Sequence, residues 1–176
     1  MEFKKTNIKD AYLIQLVKRE DERGYLTRIF GKEEFEKLNI SHNIVQGYTS
    51  FTKNKGTIRG FHYQIKPQAM GQLTRVTRGS VYEVIVDVRP DSPTYLKWQS
   101  FSLNASDMKL VYVPKGIAHG FLTLEDDVEF MNLYTAPFTP ECEEGIRYDD
   151  KKFNFDWPIP VEHISEKDLS WPDFKE

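Results

Sequence analysis

The chain has 176 residues, 39% hydrophobic and 14% aromatic, which is enough for one well-buried core, short for two, and too apolar for disorder. A net charge of -3 and a pI near 5.9 exclude a long-range pull toward nucleic acid or membrane, so an anionic ligand has to be held by a few placed Arg and Lys residues. The single Cys142 excludes an intramolecular disulfide, the N-terminus lacks the apolar core of a secretory signal, and no run approaches the roughly 20 apolar residues of a membrane helix; the expectation is a soluble cytoplasmic protein of one domain, 1–176.

Residues 8–17 mix β-branched and aromatic side chains and predict an early strand. Arg19 to Gly24 predicts a charged turn, and Tyr25 to Phe30 an extended segment. Gly31 to Leu38 carries Phe35 and Leu38 on one helical side, a short surface helix. From Ile44 the pattern becomes a series of short strands, near 44–52, 57–64, 72–77, 80–88, 95–103, 110–113, 118–124 and 128–135, separated by Gly, Pro, Asn and Asp turns. That spacing predicts an all-β, double-sheet, cupin-like jelly roll with short peripheral helices. Beyond Pro137 the Pro-rich segment 137–176 is predicted to wrap the core.

Chemistry concentrates in Lys55 to Gln64, which brings Arg59 and His62 into one short strand. Strict alternation sends Arg59 and His62 to opposite faces, unless a bulge at Gly60 re-aims them. A second histidine, His119, follows the tight turn Pro114-Lys115-Gly116 and enters a strand just after a corner. Jelly-roll metal sites use a similar layout, but the first strand offers only His62 and the weak ligand Gln64, with no acid before Glu83. This favours organic acid/base chemistry without a metal, in which an imidazole is oriented by a carboxylate. Asp168 closes a Ser165-Glu166-Lys167-Asp168 run that reads as a helix capping box.

The runs Asp21-Glu22-Arg23-Gly24-Tyr25, Lys55 to Gln64, Leu73 to Gly79, Val86-Asp87-Val88-Arg89, Ser92-Pro93-Thr94, Pro114 to Phe121, Gly145-Ile146-Arg147, Asp156-Trp157-Pro158 and Ile164 to Asp168 stand in an order and spacing that resembles the dTDP-4-dehydrorhamnose 3,5-epimerase family. The resemblance implies a nucleotide-diphosphate 4-keto-6-deoxy sugar as substrate, proton exchange beside the ketone, and no cofactor. It implies His62 as base with Asp168 as its orienting carboxylate, Arg59 near the diphosphate or sugar, and His119 lining the pocket. Arg23 is implied to hold phosphate across a homodimer, Phe138 to stack on the nucleotide base, and Gln46, Glu143 and Lys167 to make further ligand contacts.

Two positions depart from the family. Its enolate-stabilising Lys is replaced by Gln72, which donates a hydrogen bond but carries no charge, and its Tyr acid by Asn132, an amide that cannot donate a proton at neutral pH. Tyr134 lies on the same strand face as Asn132, about 7 Å away, and is the substitute acid; Tyr48, in the segment where the family has a ligand-binding Asn, is a second candidate. Loop 53–56 is one residue longer than the family's. The expected activity is epimerisation at a single carbon, C3 or C5, with a keto shift from the same enolate, or non-catalytic nucleotide-sugar binding, as alternatives.

Overall fold

Alternating burial along short strands produces two facing sheets. The structure, a computed structural model, describes residues 1–40 and 43–175. In chain order the elements are β1 (Glu2–Lys5), β2 (Tyr12–Gln15), β3 (Lys18–Asp21), β4 (Gly24–Thr27), α1 (Lys32–Glu36), β5 (Gln46–Thr52), β6 (Ile58–Gln64) and β7 (Gln72–Arg78). There follow β8 (Ser80–Asp87), β9 (Trp98–Asn104), β10 (Lys109–Val113), β11 (Ile117–Thr123), β12 (Val128–Tyr134), β13 (Glu143–Gly145) and α2 (Glu166–Leu169). A six-stranded sheet runs β1-β2-β10-β7-β12-β5 and a five-stranded sheet β13-β6-β11-β8-β9, while β3 and β4 pair only with each other. All the strand pairs are antiparallel, the jelly-roll arrangement that the strand spacing predicts.

Period-two patterning divides the apolar side chains into three layers. Between the sheets lie Val76, Val111 and Phe130 from one and Val81, Ile85 and Phe121 from the other. Outside the six-stranded sheet, Phe35 of α1 packs with Ile14, Leu73 and Leu110. Outside the five-stranded sheet, Phe61, Val84, Val86 and Ala118 are covered by Ile146 and Phe153. Several matched runs hold structure together: fully buried Asp87 accepts hydrogen bonds from Arg89, Ser92 and Thr94. Burial alone raises its pKa, but these donors outweigh that and hold it below the ordinary carboxylate range.

The differences from the predicted elements lie at the termini. The charged segment read as a turn is the hairpin β3–β4, with only Glu22 and Arg23 at its tip. Glu2–Lys5 forms edge strand β1, and Glu143–Gly145 adds β13 to the edge beside β6. Edge strands need only one neighbour and little apolar character, so neither carries the alternation that marks a central strand.

Candidate active site

The site begins with a break in β6. His119 on β11 stands opposite His62, yet Phe121 stands opposite Arg59, so two steps along β11 match three along β6. Gly60 occupies the slip with φ +109°, and a Cβ there would lie 2.6 Å from the His119 carbonyl oxygen. Only glycine meets both conditions. Phe61 and Tyr63 therefore pack outward, while Arg59 and His62 both line an open cleft of about 720 Å³. The bulge brings together two side chains that strict alternation separates.

His62 Nε2 lies 2.6 Å from Asp168 Oδ1. The other carboxylate oxygen accepts the Gly60 N–H at 3.2 Å, so Asp168 braces both the base and the bulge. Burial raises its pKa, but the hydrogen bond and charge of His62, then the Gly60 N–H, bring it below the ordinary range. The cap and the dyad coexist. Ser165 Oγ accepts the Asp168 backbone N–H at 3.1 Å and caps α2, which leaves the Asp168 side chain for His62. With Nε2 engaged, Nδ1 is the nitrogen free to take a proton, and Glu143 Oε1 lies 3.9 Å from it. Glu143 is held through its other oxygen by Lys167 Nζ.

Arg59 donates to Thr52 Oγ1 at 2.9 Å and the Phe51 carbonyl at 3.3 Å, and has no carboxylate partner among the described residues. Among the described residues, Lys53, Arg59 and Lys167 line the cleft against one lining acid, Asp168, with Glu143 beside it paired to Lys167. The cleft is thus cationic in a chain of net charge -3, which suits an anionic ligand. Deeper in, His119 is 8% exposed, and its Nε2 lies 2.9 Å from Oε1 of fully buried Glu83. The contact is a charge pair and not an aligned hydrogen bond, and among the described residues neither His119 Nε2 nor Glu83 Oε2 has a hydrogen-bond partner. Thr74 Oγ1 donates to Glu83 Oε1 at 2.6 Å.

The opposite wall comes from β5 and β12 of the six-stranded sheet. Asn132 pairs with Tyr48, and Tyr134 with Gln46, and Asn132, Tyr134 and Tyr48 line the cleft. The two phenol rings meet edge-on at 5.6 Å. Burial, then Tyr48 and Glu143, raise the Tyr134 pKa to about 12. Gln46 bonds the Tyr48 hydroxyl and accepts the Phe138 N–H at 2.8 Å, which places exposed Phe138 at the rim.

Gln46, Phe138 and Glu143 do not line the cleft but are linked to residues that do, Gln46 to Tyr48 and to Phe138, and Glu143 to Lys167; Gln72 and Arg23 stand further apart. Gln72 is buried on β7 beside Tyr134 and does not line the cleft. Arg23 is at the hairpin tip, exposed, and bonded to Asp21 of its own turn. The cleft also includes Lys53 and His163, which the sequence reading did not single out because neither lies in a run with chemical spacing.

A family model described as dTDP-4-dehydrorhamnose 3,5-epimerase matches residues 5–176. The chain belongs to this epimerase family. A dTDP-4-dehydrorhamnose 3,5-epimerase of Sinorhizobium fredii is 39% identical, covering 98% of this chain and 89% of the relative. The crystal structure of dTDP-4-dehydrorhamnose 3,5-epimerase from Bacillus anthracis, with TDP and PPi bound, has a TM-score of 0.94 at 35% identity, covering 98% of this chain and 99% of that one. ChmJ, a 3'-monoepimerase from Streptomyces bikiniensis solved with dTDP-quinovose, has a TM-score of 0.88 at 27% identity, covering 95% of this chain and 85% of that one. Membership makes this protein an enzyme, a sugar-nucleotide epimerase.

Proposed function

We propose that this enzyme epimerises a dTDP-linked 4-keto-6-deoxy sugar at one of the two carbons flanking its C4 ketone, C3 or C5, with His62 as base and Tyr134 as acid. The observation that carries the reading is the 2.6 Å His62–Asp168 contact on one wall facing Asn132 and Tyr134 on the other. His62 Nδ1 takes the proton from the carbon, and the bond electrons move into the ketone to form an enolate. Tyr134 returns a proton to the opposite face, so the carbon inverts, and both groups then re-equilibrate with water. A phenol with a pKa near 12 stays protonated and ready to donate across the neutral range. His119 is assigned to substrate binding, with Glu143 and Lys167 as further ligand contacts beside the base, Gln46 and Tyr48 on the opposite wall and Phe138 against the nucleotide base; Gln72, outside the cleft on β7, is left without a direct contact.

The single-carbon assignment rests on Asn132. A form of ChmJ carries substitutions at a histidine and a tyrosine, and the interval between those two residues equals that from His62 to Asn132. That monoepimerase acts at one carbon with its tyrosine in place, so its single-carbon outcome has a different basis from the one proposed here, the amide at Asn132.

The working unit is proposed to be a single jelly-roll domain, 1–176, acting as a homodimer in the cytoplasm. Hairpin β3–β4 joins neither sheet and exposes Tyr25 and Leu26, while the edge strand β5 exposes Tyr48 and Phe51. Pairing these surfaces between copies carries Arg23 to the partner's diphosphate. Cys142 is a buried free thiol, in keeping with a reducing compartment.

The test is incubation of dTDP-4-keto-6-deoxyglucose in deuterated water, with label counted by mass spectrometry and the product read by NMR. One deuterium at an inverted carbon is the expected result. Two labels, a moved ketone, or no label each overturn it.

A further inference from the structure

The base has a second neighbour that neither touches substrate nor carries charge. Trp171, two residues beyond α2, meets His62 edge-on at 6.5 Å. Its indole lies across Gly145, the residue opposite His62 on β13, so closely that any Cβ there would overlap the ring. The indole Nε1 is buried without a hydrogen-bond partner among the described residues. An unpaired buried N–H is costly, so packing against β6 and β13, and not its own polar group, holds this ring in place. Trp171 does not line the cleft.

We propose that Trp171 is a positioning residue for His62, holding the imidazole with Nδ1 presented to the cleft. The inference rests on His62 being the base. The Asp168 contact fixes one end of the ring, at Nε2, and a single hydrogen bond is a pivot. Glu143 Oε1, 3.9 Å from Nδ1, is near enough after a small tilt to hold a proton on Nδ1, and an imidazole kept protonated there is no longer a base. The indole fills the space beside the imidazole and opposes the tilt. The bare backbone of Gly145 gives it room to do so. A misplacement of about 1 Å at a reacting group costs up to about 100-fold in rate.

The experiment compares Trp171→Ala, Trp171→Phe and Gly145→Ala by label incorporation, thermal melting, and the NMR signals of the His62 ring, assigned by their loss in His62→Asn. Trp171→Ala is expected to lower kcat between about 10- and 100-fold with KM nearly unchanged, and to move the His62 Nδ1 nitrogen signal toward that of a protonated nitrogen as the ring tilts to Glu143, a change larger than loss of the indole ring current gives. Trp171→Phe, which keeps an aromatic edge, should restore most of kcat. If Trp171→Ala does not fold, Gly145→Ala displaces the indole while leaving every side chain of the cleft, and is expected to show the same kcat loss and signal shift. A His62 Nδ1 signal that moves no further than loss of the ring current gives, wild-type kcat, or a loss confined to KM overturns the proposal. If the wild-type enzyme labels no sugar, the proposed function fails by itself, and the His62 signals still decide whether Trp171 holds the ring.

Discussion

The two walls of the cleft are built to different standards. On the β6–β11 wall, His62, Asp168, the Gly60 N–H and the Ser165 cap form a connected chain of hydrogen bonds tying a base to a glycine bulge and a helix start. On the β5–β12 wall, the groups are a buried amide, Asn132, and two phenols in edge contact, Tyr134 and Tyr48, the latter bonded to Gln46. By the family resemblance the first wall keeps its base and orienting carboxylate, while on the second Asn132 stands where the family has its acid, and Gln72, where the family has a Lys, lies behind it on β7, outside the cleft. A proton-abstracting group must be aimed at one C–H bond, so its wall tolerates little change. A proton donor needs only reach and a held proton, which a neighbouring tyrosine can supply.

The comparison breaks most completely at the base. His62→Asn removes the proton acceptor while leaving a side chain able to bond Asp168 Oδ1, and label incorporation should fall by about 10²- to 10⁴-fold. Calorimetric binding of dTDP should be nearly unchanged. Retained exchange in this variant would mean that another group takes the proton and that the ordered wall is not the reactive one.

On the second wall, Tyr134→Phe should reduce product formation by about 10- to 100-fold, and Tyr48→Phe by much less, because Tyr134 is the more deeply set and Tyr48 reaches toward the nucleotide end with Gln46. The reverse ordering would move the acid from β12 to β5. Asn132→Tyr is the sharper variant. It restores a phenol at the family's acid position, and the expected outcome is deuterium at a second carbon, counted by mass spectrometry.

The difference between the walls also explains what the sequence could reveal. The strands from β5 to β12 are legible because their runs are rich in β-branched and aromatic residues and are bounded by turn residues, whether buried throughout like β11 or half-exposed at a sheet edge like β5. The hairpin β3–β4 reads as a turn because its residues face solvent in the single chain and carry no apolar period. Arg59 and His62 are recognisable as reactive types, but their convergence depends on a backbone slip at Gly60 that only the pairing with β11 reveals. Asp168 shows the same limit from the other side. Its capping pattern is real, and the pattern says nothing about the carboxylate, which points to a residue 106 positions away. Trp171 has no motif; its meaning comes from Gly145 opposite His62.

The smallest expected effect tests how firmly the ordered wall is tied to the fold. Asp168 is buried, which by itself favours the neutral acid, yet His62 and the Gly60 N–H lower its pKa below the ordinary range. A group whose folded pKa is depressed stabilises the fold above its unfolded pKa, and that contribution is lost as pH falls through the folded value. Asp168→Asn should therefore cost about 1 to 3 kcal/mol at neutral pH, the range for hydrogen bonds to a charged group. The gap between wild type and variant, followed by denaturant unfolding, should stay constant above about pH 5 and narrow as the carboxylate protonates. A gap that is flat down to about pH 3 would mean that Asp168 contributes through shape and not through charge. The carboxylate would then serve to aim His62 and would no longer count among the links that hold this wall together.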